Sequence, residues 1–208
     1  MRLVLDHHFR LPAAASYHSY MDARAGFVLV GGNSSRMGQD KASLPLRGKL
    51  LVEQVASAVA EAAGSVTLVG AADRYRKLGF PILPDSFPGA GPLAGIYTAL
   101  GASRADWNLI TACDMPVISA SFLKSLLVAA ESCGGDCLIP SGPSGRSEPL
   151  CAVYHSRCRA VIGAALDRNV RKVMDGLQGL RIATRRVPEP DWFRNVNTPE
   201  EWADYLHG

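Results

Sequence analysis

The chain has no apolar run near the roughly 20 residues that cross a bilayer, which excludes a hydrophobic membrane-spanning helix. It is also short of cysteine. The five present, Cys113, Cys133, Cys137, Cys151 and Cys158, are odd in number and irregularly spaced, unlike a secreted disulfide framework. Cys133 and Cys137 lie close enough to suggest a metal pair. No histidine stands beside them, and buried structural thiols in a reducing cytoplasm are the simpler reading. An excess of one charge is missing as well. Twenty-two Lys and Arg face 19 Asp and Glu, a net +3 that is scattered along the chain. That argues against a nucleic-acid surface while leaving room for a locally basic phosphate pocket.

The sequence is otherwise that of an ordinary globular protein, with 48% hydrophobic and 20% charged residues in 208, enough for one core and short for two. Residues 1–22 form a patternless extension. The stretch Leu11 to Ala15 is too weak for a signal peptide, and His7, His8 and His18 fit a solvated segment better than a metal site. Residues 23–208 are expected to form a single domain.

From Gly26 onward strand-like and helix-like runs alternate. Strands are expected at Phe27 to Val30, Ser65 to Val69, Pro81 to Leu83, Trp107 to Thr111 and Cys137 to Ile139. Between them, Leu51, Val52, Val55, Ala56 and Val59 recur at helical spacing before Gly64, and Leu93 to Ala102 suits a helix. Ser119 or Ser121 caps a further helix carrying Phe122, Leu123, Leu126 and Leu127. Leu150, Ala152 and Tyr154 alternate as in a half-exposed strand. Helical stretches are expected up to Asp167, at Arg171 to Leu177 and at Leu180 to Thr184. Thr198-Pro199-Glu200-Glu201 is a capping box for a last helix striped by Trp202 and Leu206. Such alternation predicts a three-layer α/β/α sandwich with a mainly parallel sheet, whose ligands bind where loops leave the carboxyl ends of the strands.

The loop after the first strand is the richest in chemistry. It reads Leu29-Val30-Gly31-Gly32-Asn33-Ser34-Ser35-Arg36-Met37-Gly38-Gln39-Asp40-Lys41. Adjacent glycines let backbone approach a ligand, and successive N–H groups can cradle an anion. Arg36 adds a planar fork for phosphate oxygens and Lys41 a mobile point charge. A lone Gly-Gly would read as a surface turn; with Arg36, Gly38 and Lys41 behind a strand, phosphate binding is the better reading. Neither G-x-x-x-x-G-K-[ST] nor G-x-G-x-x-G is present.

This loop resembles the L-x-G-G-x-S-x-R-M-G-x-D-K motif of molybdenum cofactor guanylyltransferases, MobA-like members of the broader sugar-nucleotide-type nucleotidyltransferase group. Pro84-Asp85-Ser86, Gly91-Pro92-Leu93-Ala94-Gly95, Cys113-Asp114-Met115-Pro116 and Asn195-Val196-Asn197-Thr198-Pro199 follow in the family's order. The resemblance implies a Rossmann-like nucleotide-binding fold, magnesium, GTP and molybdopterin as substrates, other molybdenum cofactor proteins as partners, and neither nucleic acid nor membrane. It places Leu29, Val30, Gly31, Gly32, Lys41, Asp85 and Asp114 at the nucleotide, with Arg36, Lys41 and Asp114 as catalytic residues and Asp114 as the metal ligand. Guanylyl-transferring relatives share Gly-Gly at the end of the first strand, where cytidylyl-transferring ones usually have Ala-Gly. One departure is Gly70, where the family often has an Asn that meets the base.

Residue chemistry alone leaves alternatives open. Asp114 follows an apolar strand and is a hard oxygen ligand suited to Mg2+, but an Asp before Pro116 also builds a turn. Asp85 beside Ser86 is likewise a common turn pair. Arg146, Arg171, Lys172, Asn195 and Asn197 fall where the resemblance places the pterin, although each basic residue alone reads as a surface charge. The expected reaction is transfer of GMP from GTP to molybdopterin with release of pyrophosphate. Its rivals are a cytidylyltransferase acting on the same pterin or a sugar-like phosphate, and a noncatalytic nucleotide-binding adaptor. Removal of residues 1–22 is predicted to leave folding and catalysis intact. A protein beginning near Asp22 that folds yet cannot turn over GTP contradicts this.

Overall fold

A computed structural model describes residues 23–31, 40–46, 48–188, 191–194, 196 and 198–207. In chain order the elements are β1 (Arg24–Val30), β2 (Pro45–Leu46), β3 (Lys49–Leu50), α1 (Leu51–Ala63), β4 (Thr67–Gly70), α2 (Ala72–Tyr75), β5 (Ile82–Leu83), α3 (Pro92–Ala102), β6 (Trp107–Ala112), α4 (Ala120–Ser132), β7 (Cys137–Ser141), β8 (Cys151–His155), α5 (Cys158–Asp167), α6 (Val173–Gly176), β9 (Ile182–Arg186) and α7 (Pro199–His207). Seven strands form one sheet in the order β5-β4-β1-β6-β8-β7-β9, and β2 pairs with β3 in a small hairpin. In the seven-stranded sheet pairing is parallel except along β8, which runs antiparallel to both β6 and β7.

Side chains alternate across the sheet and feed two apolar clusters. Phe27, Val69 and Ile110 join the α3–α5 side, whereas Val28, Val30, Leu68 and Leu109 join the α1–α4 side. Helix α1 buries Leu51, Val52, Val55, Ala56 and Val59, and Gly64 ends it. Each such large side chain contributes about 1.5–3 kcal/mol. Ser119, rather than Ser121, caps α4, its hydroxyl accepting from Phe122 N at 3.3 Å. The expected box at α7 is present: Glu201 N donates to Thr198 Oγ1 at 3.2 Å, and Thr198 N to Glu201 Oε2 at 3.3 Å. Trp202 packs into the core, while the side chain of Leu206 lies outside the described part of the structure.

Three expectations require correction. Leu180 to Thr184 is not helical; its residues enter edge strand β9, parallel to β7. Asp136 sets that register, accepting from Arg181 N at 2.9 Å and from its guanidinium, so tertiary pairing overrides local pattern. Strand β8 is not half-exposed: Ala152, Val153 and Tyr154 are all fully buried, because helices cover both faces of this interior strand. Of Arg171 to Leu177, only Val173–Gly176 is helical.

Gly70 closes β4 against β1. At φ +150°, a Cβ there would lie 1.6 Å from Val30 O, so backbone rather than a side chain must move. Gly70→Ala is expected to lose more than about 3 kcal/mol of stability. Urea unfolding within about 0.5 kcal/mol of wild type would show that β1 and β4 part freely.

Candidate active site

Because β1, β4, β5 and β6 are parallel, the chain leaves all four at one end of the sheet. After β1 comes Gly31, exposed and at φ +114°, where an added Cβ would meet, among the described residues, only Ala71 N at 3.9 Å. The Leu29 side chain lies over Gly95 of α3, and Val30 is buried. Their main chain is therefore what they offer a ligand. Gly32 and Arg36 fall outside the described residues.

The loop re-enters the described part at Asp40, which caps a turn of 3-10 helix over Lys41–Ser43 by accepting from Ala42 N at 3.2 Å. Its other carboxylate oxygen accepts from the hydroxyl of buried Tyr75 at 2.6 Å. Lys41 Nζ then lies 3.9 Å from Asp114 Oδ2, with side chains 18% and 22% exposed. Two distant motifs are thus brought together. Asp114 Oδ1 is buried without a hydrogen-bond partner among the described residues. Burial pushes the Asp114 carboxyl above its ordinary range, opposed by Lys41 and by a backbone hydrogen bond.

Asp85 is placed differently. Its Oδ1 accepts from Phe87 N at 3.0 Å and from the Thr98 hydroxyl at 3.2 Å, tying the loop after β5 to α3. The turn role open in the sequence is realised there.

Glu148 stands at the same end as Asp114, on the loop between β7 and β8. Burial pushes its carboxyl up, Arg146 at 3.5 Å opposes this, and Asp114 adds to it. Arg146 itself is exposed. Arg171 donates to Asn169 Oδ1 at 2.6 Å, and its carbonyl lies beside Gly91 at the start of α3. Exposed Lys172 precedes α6. Asn195 and Asn197 are outside the described residues, but Val196 between them donates its N–H to Asp114 O at 3.1 Å. Tyr75 escaped sequence reasoning altogether: a tyrosine on a four-residue helix carries no pattern. A cavity of about 390 Å³ near the beginnings of β1 and β4 lies away from these residues.

Among known proteins, the model of the MobA-like NTP transferase domain matches residues 26–183. The chain belongs to that family. A "Probable molybdenum cofactor guanylyltransferase" of Methanothermobacter thermautotrophicus is 36% identical over 187 residues, covering 84% of this chain and 94% of that protein. Another of that name, from Carboxydothermus hydrogenoformans, is 33% identical over 186 residues, covering 86% and 93%. The crystal structure of molybdopterin-guanine dinucleotide biosynthesis protein A from Archaeoglobus fulgidus superposes with a TM-score of 0.75 at 28% identity, covering 86% of this chain and 95% of that one. Like other members of the MobA-like NTP transferase family, the chain is a nucleotidyltransferase with a Rossmann-like sheet. No helix among the described residues is long and apolar enough to cross a membrane.

The raised Asp114 carboxyl has a consequence for stability. Its charged form is disfavoured in the fold, so the penalty is present above the folded pKa and absent below the unfolded value of about 3.9. In metal-free protein, Asp114→Asn is expected to melt at or above the wild-type temperature near neutral pH. That advantage should vanish as the pH falls below the ordinary carboxylate range. Thermal melts across pH showing the opposite trend would mean that the Lys41 pairing outweighs burial.

Proposed function

We propose that the chain transfers GMP from GTP to molybdopterin, making the guanine dinucleotide form of the molybdenum cofactor and releasing pyrophosphate. The observation that carries this reading is the pairing of Lys41 with Asp114 at the same end of the sheet as Gly31, which follows the neighbouring parallel strand. Relatives bearing the guanylyltransferase name support the choice of substrates.

In the proposed reaction, an oxygen of the molybdopterin phosphate bonds to the α-phosphorus of GTP, while the bond to the bridging oxygen of the β-phosphate breaks. The attacking group is already an anion, so no side chain must remove a proton. Repulsion between anions is the obstacle, and Lys41, Arg36 and the amides after β1 are the groups assigned to offset it. The backbone of Leu29, Val30, Gly31 and Gly32 lines the nucleotide, and Asp85 orders the loop before α3. Asp114 suits magnesium because its buried Oδ1 is a hard oxygen donor with no hydrogen-bond partner among the described residues. Bound there, the ion would supply positive charge to the triphosphate. Arg146, Arg171, Lys172, Asn195 and Asn197 are assigned to the second substrate. Five unbridged thiols suit the cytoplasm, and residues 23–208 act as one domain.

The reading is tested by pyrophosphate release across a panel of nucleotides and acceptors, with and without magnesium. GTP with molybdopterin should be the productive pair. Asp114→Asn should lower the maximal rate and shift the magnesium titration; unchanged curves would make Asp114 a turn residue.

Base preference offers a sharper check. Gly31→Ala adds a methyl that clashes with none of the described residues, at a φ that disfavours any side chain. The methyl should crowd guanine more than cytosine. Wild type is expected to prefer GTP over CTP, and Gly31→Ala to narrow the ratio of kcat/KM values by about 10- to 200-fold, one methyl-sized contact. Preference of the wild type for CTP would replace GMP by CMP in the proposal. An unchanged ratio would place base reading elsewhere.

A further inference from the structure

Tyr75 is 1% exposed and sits on α2, directly after the strand that closes on β1. Its ring belongs to the apolar cluster that also holds Val28, Val30, Ala42 and Leu44. A phenylalanine would fill that space equally well, so packing does not explain the hydroxyl. A buried hydroxyl must find an acceptor. This one donates to Asp40 Oδ2 at 2.6 Å, the short distance typical of a bond to a carboxylate. Burial and the adjacent Asp40 push its pKa well up, so it keeps the proton it donates.

Asp40 distributes that restraint. Its second oxygen accepts from Ala42 N at 3.2 Å, and its carbonyl accepts from Ser43 N at 3.1 Å. These two bonds define the turn carrying Lys41, whose Nζ faces Asp114. The turn is three residues long, too short to hold its own conformation. The link from Tyr75 through Asp40 therefore runs from the core beside β4 to the end of the Gly-rich loop. We propose that Tyr75 is a positioning residue, whose hydroxyl fixes Asp40 and thereby holds Lys41 opposite Asp114 for nucleotidyl transfer. Its catalytic half rests on the reading proposed above; its structural half does not.

Tyr75→Phe, Asp40→Ala and the double variant, each in the full chain, form the test. In Tyr75→Phe, amide hydrogen exchange at Ala42 and Ser43 should accelerate while the amides of α4 and β6 keep their protection. Pyrophosphate release should show kcat reduced by about 10- to 100-fold, as for a misplaced catalytic group, with KM for GTP changing far less. On the Asp40→Ala background, Tyr75→Phe should add no further loss in either measurement, since the restraint is already gone. Unchanged exchange at Ala42 and Ser43 in folded Tyr75→Phe overturns the proposal, as does an equal added loss on the Asp40→Ala background. If Tyr75→Phe does not fold, Asp40→Ala alone carries the test, and wild-type exchange and kcat in that variant overturn the proposal as well. Exchange needs no substrate. A wild type inactive with every nucleotide would thus sink the transfer reading while the exchange still judges Tyr75.

Discussion

β1 pairs in parallel with β4 on one side and β6 on the other, and the geometry of the site follows from that double pairing. Parallel neighbours require long crossovers, and these return each strand in the same direction. Gly31, Gly70 and Asp114 therefore come to one edge from three separate stretches of sequence. The register is enforced by burial. Sliding β1 by one residue would move Phe27 and Val28 to the wrong faces of the sheet. The same slip would carry Val30 O away from Gly70, so core packing and site geometry are one constraint rather than two.

The polar groups at this edge work against the adjoining core. Asp114 is held where burial disfavours its charge, with one oxygen near Lys41 and the other unpartnered among the described residues. Glu148 adds a second carboxyl disfavoured by burial and by Asp114. A lone buried charge is destabilising unless it is paired or coordinated. An amide at position 114 would relieve that strain but would remove the hard anionic oxygen that a divalent ion prefers. On the proposed reading, local instability is the condition for binding a metal and a triphosphate.

The repeating strands and helices were legible because their apolar period is long and their caps are chemically distinct, as at Ser119 and Thr198. Lys41 and Asp114 were legible as candidates from their motifs, and their meeting could be expected from parallel topology. What escaped lacks local pattern. Edge strand β9 is fixed by Arg181 pairing with Asp136 across 45 residues, a contact with no signature in either segment. Strand β8 mimics a half-exposed strand because small Ala152 and polar-tipped Tyr154 alternate in a layer covered on both faces. Asp85 beside Ser86 was legible as a possible turn pair, but its turn depends on Thr98 of α3, which only the fold brings near.

The two faces of the sheet contribute unequally to the site. Ala42, Tyr75, Cys113, Met115 and Val196 flank Asp40, Lys41 and Asp114, and all five belong to the α1–α4 cluster. The loop turn, the proposed metal ligand and the segment around Val196 thus share one packed support, so a cavity made beneath one would be felt by the others. Among the described residues, the opposite face supplies the start of α3 and the turn at Asp85. Arg146 and Lys172, assigned to the second substrate, are exposed. In the proposed reaction the nucleotide side would then be preorganised by the core. The pterin would meet side chains whose placement rests mainly on surface loops and on the ligand itself.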